Sequence, residues 1–138
     1  FRWGIASYAS ATPCSGWNID DVEVWGAQTG TARISLTVTP DSLSWTAVEG
    51  AVFYDVVRGD LETLNQTAGD FSLATEACVA NDVGGTVADL SETPPAGTGY
   101  WYLVRGVSAA GPMTFQALYD SQVGLRDGEI DAAVASCP

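Results

Sequence analysis

Residues 100–108 read YWYLVRGVS, and this stretch carries the strongest strand signal in the chain. Aromatic and β-branched residues fill it, as a pleated, partly buried surface requires. The preceding Pro94-Pro95-Ala96-Gly97-Thr98-Gly99 is a rigid loop that delivers the chain into the strand. Working outward, nearly every other apolar run is also short, rich in Val, Tyr, Trp and Thr, and closed by Gly, Pro, Asp or Asn. That pattern predicts an all-β fold, with strands over 2–8, 17–25, 32–39, 42–46, 53–58, 85–90, 100–108 and 114–119. Pro40-Asp41 and Gly59-Asp60 read as turns, and residues 61–78 as a loop with a helical turn.

The C-terminal end departs from the strand pattern. Asp127 reads as the cap of a short helix that places Ile130, Ala133, Val134 and Cys137 on one stripe. The stripe points Cys137 towards the body of the domain. Cys78, in the same domain, is its natural disulfide partner, with a buried free thiol as the alternative. Such a bridge closes a loop of about 60 residues and stabilises by roughly 3–4 kcal/mol on a chain-entropy basis. Cys14 is left over, as a free or intermolecular cysteine. Three widely spaced cysteines with no CxxC suit a secreted protein better than a thiolate metal site.

A boundary falls near Gly26. Residues 34–138 form a self-sufficient β-domain, 27–33 a linker, and 1–26 only a strand pair. Two strands cannot bury their own apolar faces, yet this pair carries Phe1, Trp3, Tyr8, Trp17 and Trp25. These aromatics are therefore expected at an interface, with the following domain, with an upstream sheet of a longer parent chain, or with another chain.

Composition narrows the function. With a 46% hydrophobic chain, a formal charge of −12 belongs to a folded acidic domain rather than a disordered tail. All five cationic residues are arginine, which argues against nucleic acid and against an anionic membrane as partners. The absence of histidine removes the Ser-His-Asp triad and the usual zinc ligand. Adjacent strand residues Asp20 and Asp21 point to opposite sides, which suits paired-carboxylate catalysis poorly. Ile19 and the Val22/Val24 pair differ in strand phase, so a bulge is expected at the aspartates. There a carboxylate either satisfies backbone N–H groups or serves as a candidate calcium ligand. Trp101, opposite in phase to Tyr100 and Tyr102, is a candidate exposed platform with Phe53 or Trp25, for a saccharide ring or another domain. Tyr102 is the candidate for a tyrosine corner, and Asn65-Gln66-Thr67 is a glycosylation sequon.

Several of these stretches also carry a family resemblance. Leu43-Ser44-Trp45, Tyr54-Asp55-Val56-Val57-Arg58-Gly59-Asp60 and Gly99-Tyr100-Trp101-Tyr102-Leu103-Val104-Arg105 resemble the fibronectin type III-like domains of large secreted bacterial proteins. Asp70-Phe71-Ser72 leading to Cys78, and residues 121–127 leading to Cys137, are similar to the same variant. The resemblance implies a seven-stranded immunoglobulin-like β-sandwich over about 34–138 and strengthens the Cys78–Cys137 pairing. The long connection over 61–84 and the C-terminal helix depart from the animal domains. Gly16-Trp17-Asn18-Ile19-Asp20-Asp21-Val22 resembles the last strand of a jelly-roll domain, in which structural calcium is common. Together these imply a non-catalytic structural or assembly module of a secreted, extracellular protein. One form is the subunit of a filament joined by strand addition. The alternatives are the accessory region of a secreted hydrolase and a glycan- or protein-binding module.

Overall fold

The computed structural model describes residues 26–28, 30–116 and 125–138. The strands expected over 2–8 and 17–25, and residues 117–119 of the one expected over 114–119, lie outside the described residues. The described elements begin with β1 (Gly26–Gln28) and β2 (Gly30–Ile34), an antiparallel hairpin where a linker was expected. They continue through β3 (Leu36–Val38), β4 (Ser42–Trp45), β5 (Phe53–Asp60), α1 (Leu61–Gln66) and α2 (Phe71–Ala74). After these come β6 (Thr75–Val83), β7 (Val87–Asp89), β8 (Tyr100–Ser108), β9 (Gly111–Pro112) and α3 (Arg126–Ala132).

Two antiparallel sheets form the body, ordered β3-β4-β7 and β6-β5-β8-β9. Alternation along β4 turns Leu43 and Trp45 inward, with Ser42 and Ser44 on the other face. Leu43 and Trp45 join Ile34, Leu36 and Val48 in meeting Tyr54, Val56 and Val104 of the second sheet, and this is the sandwich core. Trp45 packs edge-on to Tyr54 with ring centroids 5.7 Å apart. The Tyr54 hydroxyl accepts the Val48 N–H at 3.0 Å. The tyrosine-to-backbone bond expected of Tyr102 therefore belongs to Tyr54.

The four-stranded sheet is buried on both faces. On β5, Tyr54 and Val56 face the sandwich core, while Val57 faces a second cluster with Leu103, Phe71, Phe115, Ile130 and Cys137. The β-sheet expectation thus holds for the two sheets, and the expected C-terminal helix is present as α3, but α1 and α2 join it in a layer of three short helices over the outer face that was not expected. Residues 61–78, expected as a loop with one helical turn, hold α1, α2 and the start of β6. Gly59-Asp60 is not a turn but the end of β5, and Asp60 caps α1 by accepting the Thr63 N–H at 2.6 Å. Asp70 caps α2 by accepting the Ser72 N–H at 2.9 Å. β6 was not expected at all. Its Ala, Asn and Asp content is poor for strands, and its ladder with β5 carries three register shifts.

Smaller departures have local causes. The strand expected over 32–39 is divided at Ser35, whose N–H donates to Thr46 Oγ1 and whose carbonyl accepts the Thr46 N–H. The strand expected over 85–90 shortens to β7, and residues 114–116 are not strand. Asp127 does not cap α3. Its carboxylate accepts the Phe115 N–H at 2.6 Å and the Thr114 hydroxyl, tying the helix to the loop after β9. Val134 lies fully exposed, off the inward stripe, because α3 ends at Ala132 and the chain extends at Ala133.

α1 closes with a Schellman motif: the Gly69 N–H reaches the Leu64 carbonyl at 2.9 Å and the Ala68 N–H the Asn65 carbonyl at 3.2 Å. The residue in the left-handed region is Ala68, at φ 58°, where an L side chain is strained. Ala68 is exposed, so little packing is lost on removing its methyl group. Ala68→Gly is expected to raise stability by about 0.5–1 kcal/mol. A urea midpoint that stays put or falls would contradict this.

Candidate functional site

Asp55 and Arg105 are each the single charge within a strongly apolar stretch, and they are cross-strand partners on the outer face of the central sheet. Arg105 Nε donates to Asp55 Oδ2 at 3.0 Å, with both side chains buried. Its Nη1 donates to Asp131 Oδ1 on α3 at 2.7 Å, and its guanidinium lies 4.7 Å from the centre of the Phe115 ring. The other Asp55 oxygen accepts the N–H of Asp82 at 3.1 Å. Asp82 itself has φ 49° in the irregular β6, where the ladder is already shifted. One arginine therefore joins β5, β8 and α3, and Asp55 is satisfied on both oxygens. Sequence reasoning passed over this pair. The available signal was an acidic residue flanked by apolar neighbours in β5 and an arginine flanked by apolar neighbours in β8.

Above the pair on the same face, Val57 faces Leu103 and Gly59 faces Trp101. Trp101 is the candidate platform, and the structure turns it inward. Its ring lies over Gly59 and meets Phe71 edge-on at 5.1 Å, and its indole N–H donates to the Asp60 carbonyl at 3.2 Å. Phe53, its proposed companion, sits six positions away along β5, roughly 20 Å distant at strand rise. The two do not form one patch.

Cys78 and Cys137 are joined in a disulfide, with their Cα atoms 4.9 Å apart. Cys78 lies opposite Val57 in the ladder, so the bridge lands on the second cluster and pins the C-terminal end across the outer face. Asn65 of the sequon is exposed near the end of α1, while the Thr67 hydroxyl donates to the Thr63 carbonyl. Cys14, Asp20, Asp21, Phe1, Trp3, Tyr8, Trp17 and Trp25 lie outside the described residues. Among the described residues, no group of three or more Cys, Asp or Glu side chains is placed to hold a metal ion. No helix among them is long and apolar enough to cross a membrane.

The other arginine cluster lies at one end of the sandwich. Arg58 stacks 4.0 Å from the Tyr100 ring centre, pairs with Glu92, and approaches Glu76 at 3.7 Å. Burial pushes the neighbouring Tyr102 hydroxyl above its ordinary pKa, against the pull of Arg58. Arg126, its pKa lowered by burial, donates to the Phe115 carbonyl and lies over Phe71. No family model, curated protein or solved structure matches this chain. The reading of function therefore rests on the residues themselves. The best-organised polar groups are spent on holding layers together.

The helix caps give this layer a pH dependence. The Thr63 hydrogen bonds hold Asp60 below its ordinary carboxylate pKa, and the Ser72 hydroxyl does the same for Asp70. A lowered folded-state pKa adds stability above the unfolded value and loses it as pH falls through the folded one. Amide protection in α1 and α2 is therefore expected to fall below about pH 4, the ordinary carboxylate range. Asparagine caps without titrating, so the Asp60→Asn, Asp70→Asn double variant should flatten the dependence. Hydrogen exchange that responds to acid equally in both proteins would rule out the caps as its cause.

Proposed function

We propose that this chain is a non-catalytic structural module of a secreted protein, built on a fibronectin type III-like sandwich. A three-stranded sheet ordered β3-β4-β7 packed on a four-stranded one ordered β6-β5-β8-β9 supports a sandwich of this kind, with the β1-β2 hairpin beside it. The observation that carries the reading is the Asp55–Arg105–Asp131 chain. Its central arginine and Asp55 are buried and paired, and they fasten the C-terminal helix instead of opening onto a cleft. The Cys78–Cys137 bridge supports an oxidising location, where such bonds persist.

The sheet edges among the described residues favour the accessory role over a filament subunit. Strand addition needs a long, regular acceptor edge. β3 and β7 have three residues each and β9 has two, while β6, with nine, is irregular along its ladder. A glycan platform is disfavoured by the inward packing of Trp101. Light scattering of the purified chain with intact-mass analysis tests the reading. The expected result is a discrete species of small, fixed stoichiometry carrying the Cys78–Cys137 bridge. Concentration-dependent growth into polymers would favour the filament. Turnover of peptide or polysaccharide substrates would overturn the non-catalytic assignment.

A further inference from the structure

The two hydrophobic clusters lie on opposite faces of one sheet and have no buried residue in common. Among the described residues, the sandwich core draws nothing from those after Val104, whereas the second cluster depends on Phe115, Ile130 and Cys137. α3 has seven residues and no side-chain cap, too short to persist without its packing. Its attachments are Ile130 in the cluster, Asp131 on Arg105, Glu129 accepting the Phe71 N–H at 2.9 Å, Asp127 on Thr114 and Phe115, Arg126 on the Phe115 carbonyl and over Phe71, and the disulfide. Arg105 keeps Asp55 when Asp131 leaves, so departure of the helix leaves no buried charge unpaired. The Phe71 and Phe115 N–H groups, released from Glu129 and Asp127, would then face water.

We propose that residues 125–138 are a redox-latched cover. Cutting the Cys78–Cys137 bond frees this segment and uncovers the outer apolar face of the central sheet, while the sandwich core stays folded. The reductant is a dithiol. One of its thiolates attacks a disulfide sulfur, its second thiol resolves the mixed disulfide, and it leaves as a cyclic disulfide. The two sulfurs of Cys78 and Cys137 end as thiols. Loss of the loop constraint lowers the stability of the whole domain, and the helix is the first part to open because the sandwich core lies on the other face of the sheet and does not need it.

Hydrogen exchange on the full chain, oxidised and then reduced with dithiothreitol under native conditions, tests the latch. Amides of α3 and α2 are expected to lose about 100-fold in protection, while those of β4, β5 and β8 remain well protected in the reduced protein. Binding of an apolar-surface dye should rise on reduction and fall again on reoxidation. The Cys78→Ser, Cys137→Ser double variant should reproduce the reduced pattern without reductant. Sandwich strands that exchange as fast as α3 in the reduced protein would overturn the proposal, since the cover would then be integral to the fold. Unchanged protection in α3 would overturn it too, since the bond would not be what holds the cover.

Discussion

Gly59→Ala is expected to destabilise the domain by about 3 kcal/mol or more, the upper range for forcing a methyl group into a filled site. A Cβ at this position would fall inside the contact radius of the Ala74 carbonyl oxygen and of Cζ2 and Cε2 of Trp101. Neither obstacle gives way easily. The carbonyl is backbone at the junction of α2 and β6, and the indole is held by its hydrogen bond to Asp60 and by Phe71. The glycine is needed for this close approach: the tryptophan lies over the strand where the partner has no side chain, as in aromatic rescue of sheet glycines. Chemical denaturation of Gly59→Ala, Trp101→Leu and the double variant separates the two contacts. The double variant should recover only part of the loss, because the carbonyl remains. An unchanged midpoint for Gly59→Ala would show that the ring and the strand are not in contact there.

The same residues show how far the sequence could be read. β4 announces itself because its apolar positions follow the pleat, β5 and β8 because they are rich in aromatic and β-branched residues, and the Cys137 stripe pointed the tail inward correctly even though Val134 fell off it. β6 is illegible because pairing with β5 and its two faces' neighbours, not its own composition, makes it a strand. Gly59-Asp60 has turn chemistry and is used otherwise, the glycine for contact with Trp101 and the aspartate as a helix cap. Trp101 was placed on the correct face of β8, opposite Tyr100 and Tyr102. What no local pattern reveals is that helices from two distant segments cover that face. Burial on both sides of β5 was nonetheless written in Tyr54-Asp55-Val56-Val57, where alternation gives way to a continuous buried run.

Arg105→Met is expected to cost about 3–5 kcal/mol, because it removes one partner of a buried ion pair and strands the other. Asp55 is 2% exposed and would keep only the Asp82 N–H. The methionine fills much of the aliphatic volume, so the loss reports charge more than cavity. Asp131→Asn provides the contrast. Asp131 is half exposed and Arg105 retains Asp55, so its loss should cost no more than about 1 kcal/mol. Combining Arg105→Met with Asp55→Asn removes the stranded charge while leaving an oxygen for the Asp82 N–H, and should recover half or more of the single-variant loss. These inequalities follow from one hierarchy: Asp55 is the buried partner that Arg105 must neutralise, and Asp131 is the exposed one through which α3 is attached. Urea denaturation of the four proteins measures it. Equal losses for Asp131→Asn and Arg105→Met would mean that the helix contact, not the neutralisation of Asp55, is the dominant role of the arginine.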